Sequence, residues 1–266
     1  MRTIAHLSDL HFGRHDDQVA EALLADPAFK AADLAIVTGD LTQRGRIHQF
    51  EMARSFLDRL GKPILVVPGN HDIPLYDLIQ RFVGRLARYQ RFITGDLHPF
   101  VDDGEMAVFG LNTARSAAIS NGRISREQAH AMVAAFAAVP PDRTRIVAAH
   151  HPLLAPKGTT PTLVGRAVLA REALSDAGVH IVLGGHHHHA LSAESAADHV
   201  EARREILVVQ AGTAVSRRLR GETNSYNLLQ IEPHRVTCAI RLWSGTQFET
   251  RDTSAFSFAD GKWMRA

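Results

Sequence analysis

A chain of 266 residues with 45% hydrophobic and 22% charged residues is long enough to bury one large α/β core, and its balance is that of a water-soluble globular protein. Its 30 Lys and Arg against 28 Asp and Glu leave a net charge of +2, too even for a broad nucleic-acid-binding surface, and no apolar stretch reaches the length that spans a bilayer. The single cysteine, Cys238, excludes an intramolecular disulfide and a thiolate metal site within one chain, and its place in TCAIRLW reads as strand core.

The opening TIAHLS reads as a buried strand that delivers Asp9 and His11. Two residues apart, they face the same side of an extended backbone and offer one oxygen and one nitrogen ligand. The N-terminus has no basic region followed by an apolar core, and a cleaved signal peptide would remove Asp9 and His11, so a cytoplasmic location is expected. Residues 17–31 carry Val19, Ala20, Leu23 and Leu24 at helical spacing, and residues 33–38 form a second strand ending at Gly39-Asp40. Alone, Asp40 reads either as a turn or helix-capping residue or as a carboxylate bridging two ions, with Gly39 permitting the turn. Ile47, Phe50, Arg54, Leu57 and Leu60 then mark a helix face, and residues 63–67 a third strand, which completes a βαβαβ opening.

Gly69-Asn70-His71-Asp72 follows that strand. Asn70 offers a neutral carbonyl ligand, His71 a proton donor or charge-stabilising group toward a phosphate, and Asp72 either orients His71 or stabilises the turn. Residues 74–92 place Leu75, Leu78, Ile79, Phe82, Leu86 and Tyr89 in an amphipathic pattern, which is either a cap over a cleft or a helix packed on the core.

A second half begins at residues 105–112, with further strands at 145–149, 179–184 and 206–211 separated by helical patterns at 125–139 and 165–177. His150-His151-Pro152 closes one strand. Adjacent side chains on an extended backbone diverge, so His150 is taken as the ligand and His151 as support for the cleft. Gly184-Gly185 precede a run of four histidines, in which His186 and His188 have the same-side spacing, His187 points away and His189 is a candidate for substrate contact. The run is internal, which separates it from an affinity tag. Arg217, Arg218 and Arg220 read as a solvated loop, with contact to an anionic substrate as the alternative. SYNLLQIE and RVTCAIRLW, split by Pro233-His234, form adjacent antiparallel strands, and the weakly patterned tail from about residue 252 is expected to wrap the surface. The whole of residues 1–266 is expected to form a single domain.

Taken together, Asp9-Leu-His11, Gly39-Asp40, Gly69-Asn70-His71-Asp72, His150-His151 and Gly185-His186-His187-His188 resemble the calcineurin-like metallophosphoesterase superfamily, and AGTAVSRRLRGETNSYNLLQIE is similar to its small bacterial class III cyclic-nucleotide phosphodiesterase branch. The resemblance implies a four-layer αββα sandwich of two mixed β-sheets flanked by helices. It implies two divalent or mixed-valence metal ions, one on Asp9, His11 and His188, the other on Asn70, His150 and His186, with Asp40 bridging. His71 would then lie beside the scissile phosphate, and the reaction would proceed by direct attack of water without a covalent protein intermediate. Nitrogen and oxygen donors favour Mn or Fe, are compatible with Zn or Co, and argue against a purely Mg pair.

The expected activity is a metal-dependent phosphodiesterase acting on small phosphodiesters, with 3′,5′-cyclic nucleotides first. Glycerophosphodiesters and nucleotide or lipid-linked pyrophosphates are the enzymatic alternatives, and a metal-dependent binding or scaffold protein is the non-enzymatic one. Gln43 stands where protein phosphatases of the superfamily carry a carboxylate, which disfavours that activity. The resemblance also allows a homodimer.

Overall fold

In a computed structural model of the chain, residues 1–115, 121–195 and 205–266 are described, with residues 78–80 described by their backbone alone. β1 (Arg2–Leu7) is followed by α1 (Asp17–Ala25), α2 (Pro27–Lys30), β2 (Leu34–Thr38), α3 (Ile47–Asp58) and β3 (Ile64–Val67). Asp16 caps α1 by accepting from the amides of Gln18 and Val19. The helical pattern over residues 17–31 is broken at Asp26, because Pro27 forces the residue before it out of the helical region and Asp26 instead caps α2.

A 3₁₀ turn at Asn70–Asp72 leads to α4 (Leu78–Val83) and α5 (Ala87–Phe92). One amphipathic helix was expected there. Instead Leu86, Tyr89 and Ile93 are buried against the core, while Leu75, Tyr76, Phe82 and Val83 are exposed. Tyr89 donates its hydroxyl to the Val66 carbonyl at 3.1 Å, so the second helix is a core element. The side chains of Leu78 and Ile79 lie outside the described residues.

β4 (Phe100–Asp102) and β5 (Met106–Leu111) precede α6 (Arg126–Ala137), which opens with Ser125 and Gln128 in a reciprocal capping box, an arrangement worth about 1 kcal/mol. The chain continues through β6 (Thr144–Ala149), α7 (Ala167–Asp176), β7 (Ile181–Gly184), β8 (Leu191–Glu194), β9 (Leu207–Gln210), β10 (Ser225–Glu232), β11 (Arg235–Trp243), β12 (Phe248–Ala259) and β13 (Lys262–Arg265). No helix among the described residues is long and apolar enough to cross a membrane.

Among the described residues the strands form a seven-stranded sheet in the order β13-β12-β11-β10-β1-β2-β3 and a six-stranded sheet in the order β4-β5-β6-β7-β9-β8. Parallel pairing joins β1, β2 and β3 in the first and β5, β6, β7 and β9 in the second. Both sheets are mixed, because β10 runs antiparallel to β1 while β4 and β8 are antiparallel edge strands.

The strand period of two sorts the apolar residues into layers. Ile4, Leu34, Ile36, Leu65 and Val67 meet Met106, Val108, Ile146, Ile181 and Leu183 in the core between the sheets. Their alternates Ala5, Leu7, Ala35 and Val37 face outward to Leu23, Phe50 and Leu57 of α1 and α3. Ala107, Phe109 and Val147 likewise pack against Met132, Phe136 and Leu174 of α6 and α7. The outcome is the four-layer αββα sandwich.

The tail from residue 252 does not wrap the surface: it forms most of β12 and all of β13, and Phe256 and Trp263 enter the inter-sheet core. Its weak pattern has a physical cause. Thr, Ser and Ala outnumber the apolar residues between Phe248 and Phe256, so the strand is set by pairing with β11 together with the few phenylalanines that reach the core.

Candidate metal centre

The conspicuous donors cluster where β1, β2, β3, β6 and β7 end, but not by the extended geometry their spacing suggests. β1 stops at Leu7 and β7 at Gly184. Beyond the ends of β1, β2 and β7, Asp9, His11, Asp40, His186 and His188 take φ values of 53°, 45°, 54°, 74° and 62°, the left-handed region that non-glycine residues enter at about 1–3 kcal/mol each. Hydrogen bonds between loops hold these bends: Asp9 N to Gly39 O at 3.1 Å, His11 N to Asp40 O at 2.9 Å, and His186 N to Asp9 Oδ2 at 3.0 Å. The same-side placement of Asp9 with His11 and of His186 with His188 therefore comes from tight turns rather than from strand alternation.

Glycine makes the close approach possible. A Cβ on Gly185 would lie 1.9 Å from Ser8 Oγ and 2.9 Å from Asp9 Oδ2. Ser8 Oγ donates to Asp9 Oδ2 at 2.7 Å, so the Gly185→Ala variant should displace the serine that fixes this carboxylate. A loss of about 10–100-fold in metal affinity is expected, as for other groups that support metal ligands. Metal titration of the folded variant checks this, and unchanged affinity would remove the role assigned to the Gly185–Ser8 contact.

The ligand atoms fall into two adjoining groups. In the first, Asp9 Oδ1 lies 3.4 Å from His11 Nε2 and 3.4 Å from His188 Nε2. In the second, His150 Nε2 lies 3.2 Å from Asn70 Oδ1 and 3.3 Å from His186 Nδ1. Asp40 Oδ2 touches both, 3.7 Å from His11 Nε2 and 3.4 Å from His150 Nε2.

Asp9 Oδ1 and His11 Nε2 are fully buried yet have no hydrogen-bond partner, an arrangement that is unfavourable unless something else binds them. Donors about 2.1 Å from a common ion stand about 3–3.4 Å from each other. The spacing, the unpartnered atoms and the nitrogen–oxygen donor set fit two metal ions, and the clustered His and Asp side chains can hold them.

Hydrogen bonds behind the donors set their orientation. The Thr38 carbonyl accepts from His150 Nδ1 at 2.7 Å, which leaves Nε2 as the atom facing the cleft. His188 Nδ1 pairs with Thr213 Oγ1 at 2.6 Å, and Asp40 Oδ1 accepts from the His71 amide at 2.8 Å. Burial lowers the pKa of His186 to about 3 and that of His188 to about 4, so both imidazoles are neutral. Burial would also lower that of His150, but the Asp40 carboxylate outweighs it and holds the pKa up at about 9. Asp40 itself is depressed well below the usual carboxylate range against its burial, chiefly by His150 and His71. The chain thus demands positive charge at the junction of the two groups.

His71 Nδ1 donates to the Gln43 carbonyl at 2.7 Å, so a main-chain oxygen orients the ring. Asp72 does not. Its buried carboxylate accepts from the amides of Leu41, Thr42 and Gly69 and from the Thr42 hydroxyl, and so ties the turn after β2 to the turn after β3. The geometry matches the turn-stabilising alternative, and among the described residues the Asp72 carboxylate makes no hydrogen bond to the His71 ring.

His151 Nδ1 pairs with Thr113 Oγ1 at 2.7 Å, while its unpartnered Nε2 joins His150 and His186 in one potential metal-binding group. His189 is an exposed side chain 3.8 Å from Glu222. Sequence reading placed Arg218 in a solvated loop, but its Nη1 lies 2.7 Å from His71 Nε2. Arg217 instead turns outward to Asp16 at 3.0 Å. Three arginines within four positions carry no signal of which one turns inward.

An αββα sandwich with two adjoining His/Asp donor groups at its strand ends has the make-up of a metal-dependent hydrolase. The model of the calcineurin-like phosphoesterases matches residues 2–190, and the chain belongs to that family. It is 32% identical over 80 residues to the glycerophosphodiester phosphodiesterase GpdQ of Enterobacter lignolyticus, which covers 26% of this chain and 29% of that protein. It is 30% identical over 81 residues to a probable cyclic nucleotide phosphodiesterase of Synechococcus sp., covering 27% of this chain and 32% of the relative. The matched segments thus span under a third of each curated relative. The purple acid phosphatase PPD1 of yellow lupin shares the fold at a TM-score of 0.69 and 14% identity, over 96% of this chain and 53% of that one.

Proposed function

We propose that this chain is a dinuclear metal-dependent phosphodiesterase, a single domain over residues 1–266, that hydrolyses small phosphodiesters, with 3′,5′-cyclic nucleotides as the leading substrates. The observation that carries the reading is the pair of donor groups meeting at one carboxylate oxygen, Asp40 Oδ2, beside the cleft-facing Nε2 of His71.

In this reading Asp9, His11 and His188 hold one ion, Asn70, His150 and His186 the other, and Asp40 both. Bound there, the ions would supply an activated water and neutralise charge on the phosphate. The chain does the rest. Thr38, Thr213 and Ser8 hold the donors in place from behind. Because Nδ1 of His71 is committed to Gln43 O, Nε2 is the atom presented to the phosphate, where it would take up the proton released by the attacking water and pass it to the departing oxygen. No side chain need form a covalent intermediate.

Two features support a diester. Both curated relatives bear the names of phosphodiesterases, and AGTAVSRRLRGETNSYNLLQIE carries the likeness to the cyclic-nucleotide branch. The match to GpdQ favours glycerophosphodiesters as the second reading. A binding or scaffold protein that had lost turnover would be expected to lack a donor, to have an occluded cleft or to carry a large interaction surface, and the presence of all seven motif residues in the sequence supports turnover instead.

The test is hydrolysis by metal-stripped protein restored separately with Mn, Fe, Zn or Mg, comparing cyclic AMP, cyclic GMP, glycerophosphodiesters, nucleotide pyrophosphates and phosphomonoesters. Mn or Fe should restore turnover best, with a cyclic nucleotide preferred. Preference for another diester would discard the cyclic-nucleotide assignment and keep the two-ion chemistry, and failure on every diester with every metal would discard the reading.

A further inference from the structure

Residues 211–224, which join β9 to β10, are pinned from several sides. Buried Asn224 donates to the carbonyls of Thr213 and Ser216 at 3.4 and 2.8 Å. Ser216 Oγ donates to Arg14 O at 3.1 Å and accepts from the Arg218 amide at 3.1 Å, while Arg217 N reaches Arg14 O at 2.9 Å. These bonds set adjacent side chains in opposite directions. Arg217 is spent on a surface ion pair with Asp16, whereas half-buried Arg218 reaches into the cleft and lies 2.7 Å from His71 Nε2.

That contact has a defined chemistry. His71 Nδ1 donates to the Gln43 carbonyl, so Nε2 carries a lone pair and accepts from the guanidinium. The partner of this permanent cation is therefore a neutral ring. Among the described residues no carboxylate pairs with Arg218, and the negative charges it feels are those of Asp40 and Asp9, which belong to the metal donors. Once two cations engage those carboxylates, the guanidinium is left facing positive charge in a half-buried cleft, without a counter-ion. An anion lying between Arg218 and the metal donors would resolve this, and a guanidinium fork suits phosphate oxygens.

We propose that Arg218 is a substrate-binding residue that takes a non-bridging oxygen of the phosphate and, in moving onto it, releases Nε2 of His71 to face the same phosphate. This rests on the phosphodiesterase reading for the identity of the substrate, but the anion site itself does not depend on turnover. Arg218 thereby links phosphate recognition to the exposure of His71. It is drawn from the loop after β9, away from the segments that carry the metal donors.

The test is equilibrium binding of inorganic phosphate to the Mn-loaded protein, with metal content measured alongside, for the natural chain and for Arg218→Ala, Arg218→Gln, Arg218→Lys and Arg217→Ala. Loss of a charge-assisted hydrogen bond should weaken phosphate binding about 10–100-fold in the Ala and Gln variants with both ions retained. Lys should recover part of the loss, because it keeps the charge without the fork. Arg217→Ala should bind as the natural chain does.

Unchanged phosphate affinity in the Ala and Gln variants, loss of an ion in both, or absence of phosphate binding by the natural chain would each overturn the proposal. A natural chain that binds phosphate through Arg218 but hydrolyses no diester would instead overturn the functional reading and leave this one standing. If the natural chain is active, KM should rise in Arg218→Gln by more than kcat falls.

Discussion

Asparagine in place of Asp40 is expected to leave at most one metal ion per chain and to lower turnover by at least about 100-fold. The two carboxylate oxygens have separate duties. Oδ1 accepts from the His71 amide at 2.8 Å, and Oδ2 lies between His11 Nε2 at 3.7 Å and His150 Nε2 at 3.4 Å. An amide that keeps the first contact through its oxygen must turn its NH₂ toward both imidazoles. That group is a donor and cannot ligate.

The substitution also removes the charge that holds His150 protonated up to a pKa of about 9. Burial then governs His150, and the metal-free cleft loses much of its demand for a cation. Metal analysis and initial rates on the same preparation check the prediction. Full activity in an Asp40→Asn protein that had lost one ion would refute the obligatory shared carboxylate.

The His71→Ala variant should behave differently, keeping both ions while turnover falls about 10²–10⁴-fold, the range for a general acid or base. The ring stands edge-on to His11 with centroids 4.9 Å apart, and it lies close enough to His11 and Asp40 to form a potential metal-binding group with them. Metal content therefore decides between two roles. An ion lost with His71 would make the residue a ligand, and two ions with an unchanged rate would remove it from the chemistry. If Nε2 passes a proton to the departing oxygen, the loss should shrink for a diester with a good leaving group such as nitrophenolate, because little proton transfer is then required.

Much of the sandwich could be read from local pattern. LAIVTG, ILVVPG and RIVAAH are apolar runs of strand length, each ending in glycine or histidine, and they became β2, β3 and β6 at the positions expected. Elements with weak patterns were missed for physical reasons. β4 and β8 are short edge strands with one covered side, and β12 is mostly small and polar, so pairing rather than composition makes them strands. The helix over residues 17–31 failed at a position that could have been read, since Asp26-Pro27 is a stop signal followed by a cap.

The site divides along a similar line. Asp9, His11, Asp40, Asn70, His150, His186 and His188 could be singled out as candidate donors because each follows an apolar run, and buried parallel strands bring such ends to one edge of the sandwich. Asp72 was left with two roles because a carboxylate beside a histidine offers two readings in sequence. Only the amides of Leu41, Thr42 and Gly69, supplied by other segments, show which one it satisfies. Arg218 could not be separated from Arg217 and Arg220, since direction along an irregular loop is set by contacts with Arg14 and Asp16, roughly 200 residues earlier.

Sequence alone therefore determined the strands of strong apolar pattern, which chemical groups follow them and, through the motifs, the family resemblance. Tertiary structure alone decided where those groups point. Alternation predicts direction only on an extended backbone, and Asp9, His11, Asp40, His186 and His188 lie instead at positive φ. That conformation is unfavourable for each residue taken singly. It persists because bonds such as Asp9 N to Gly39 O and His186 N to Asp9 Oδ2 join segments distant in sequence, and no local pattern encodes such a bond.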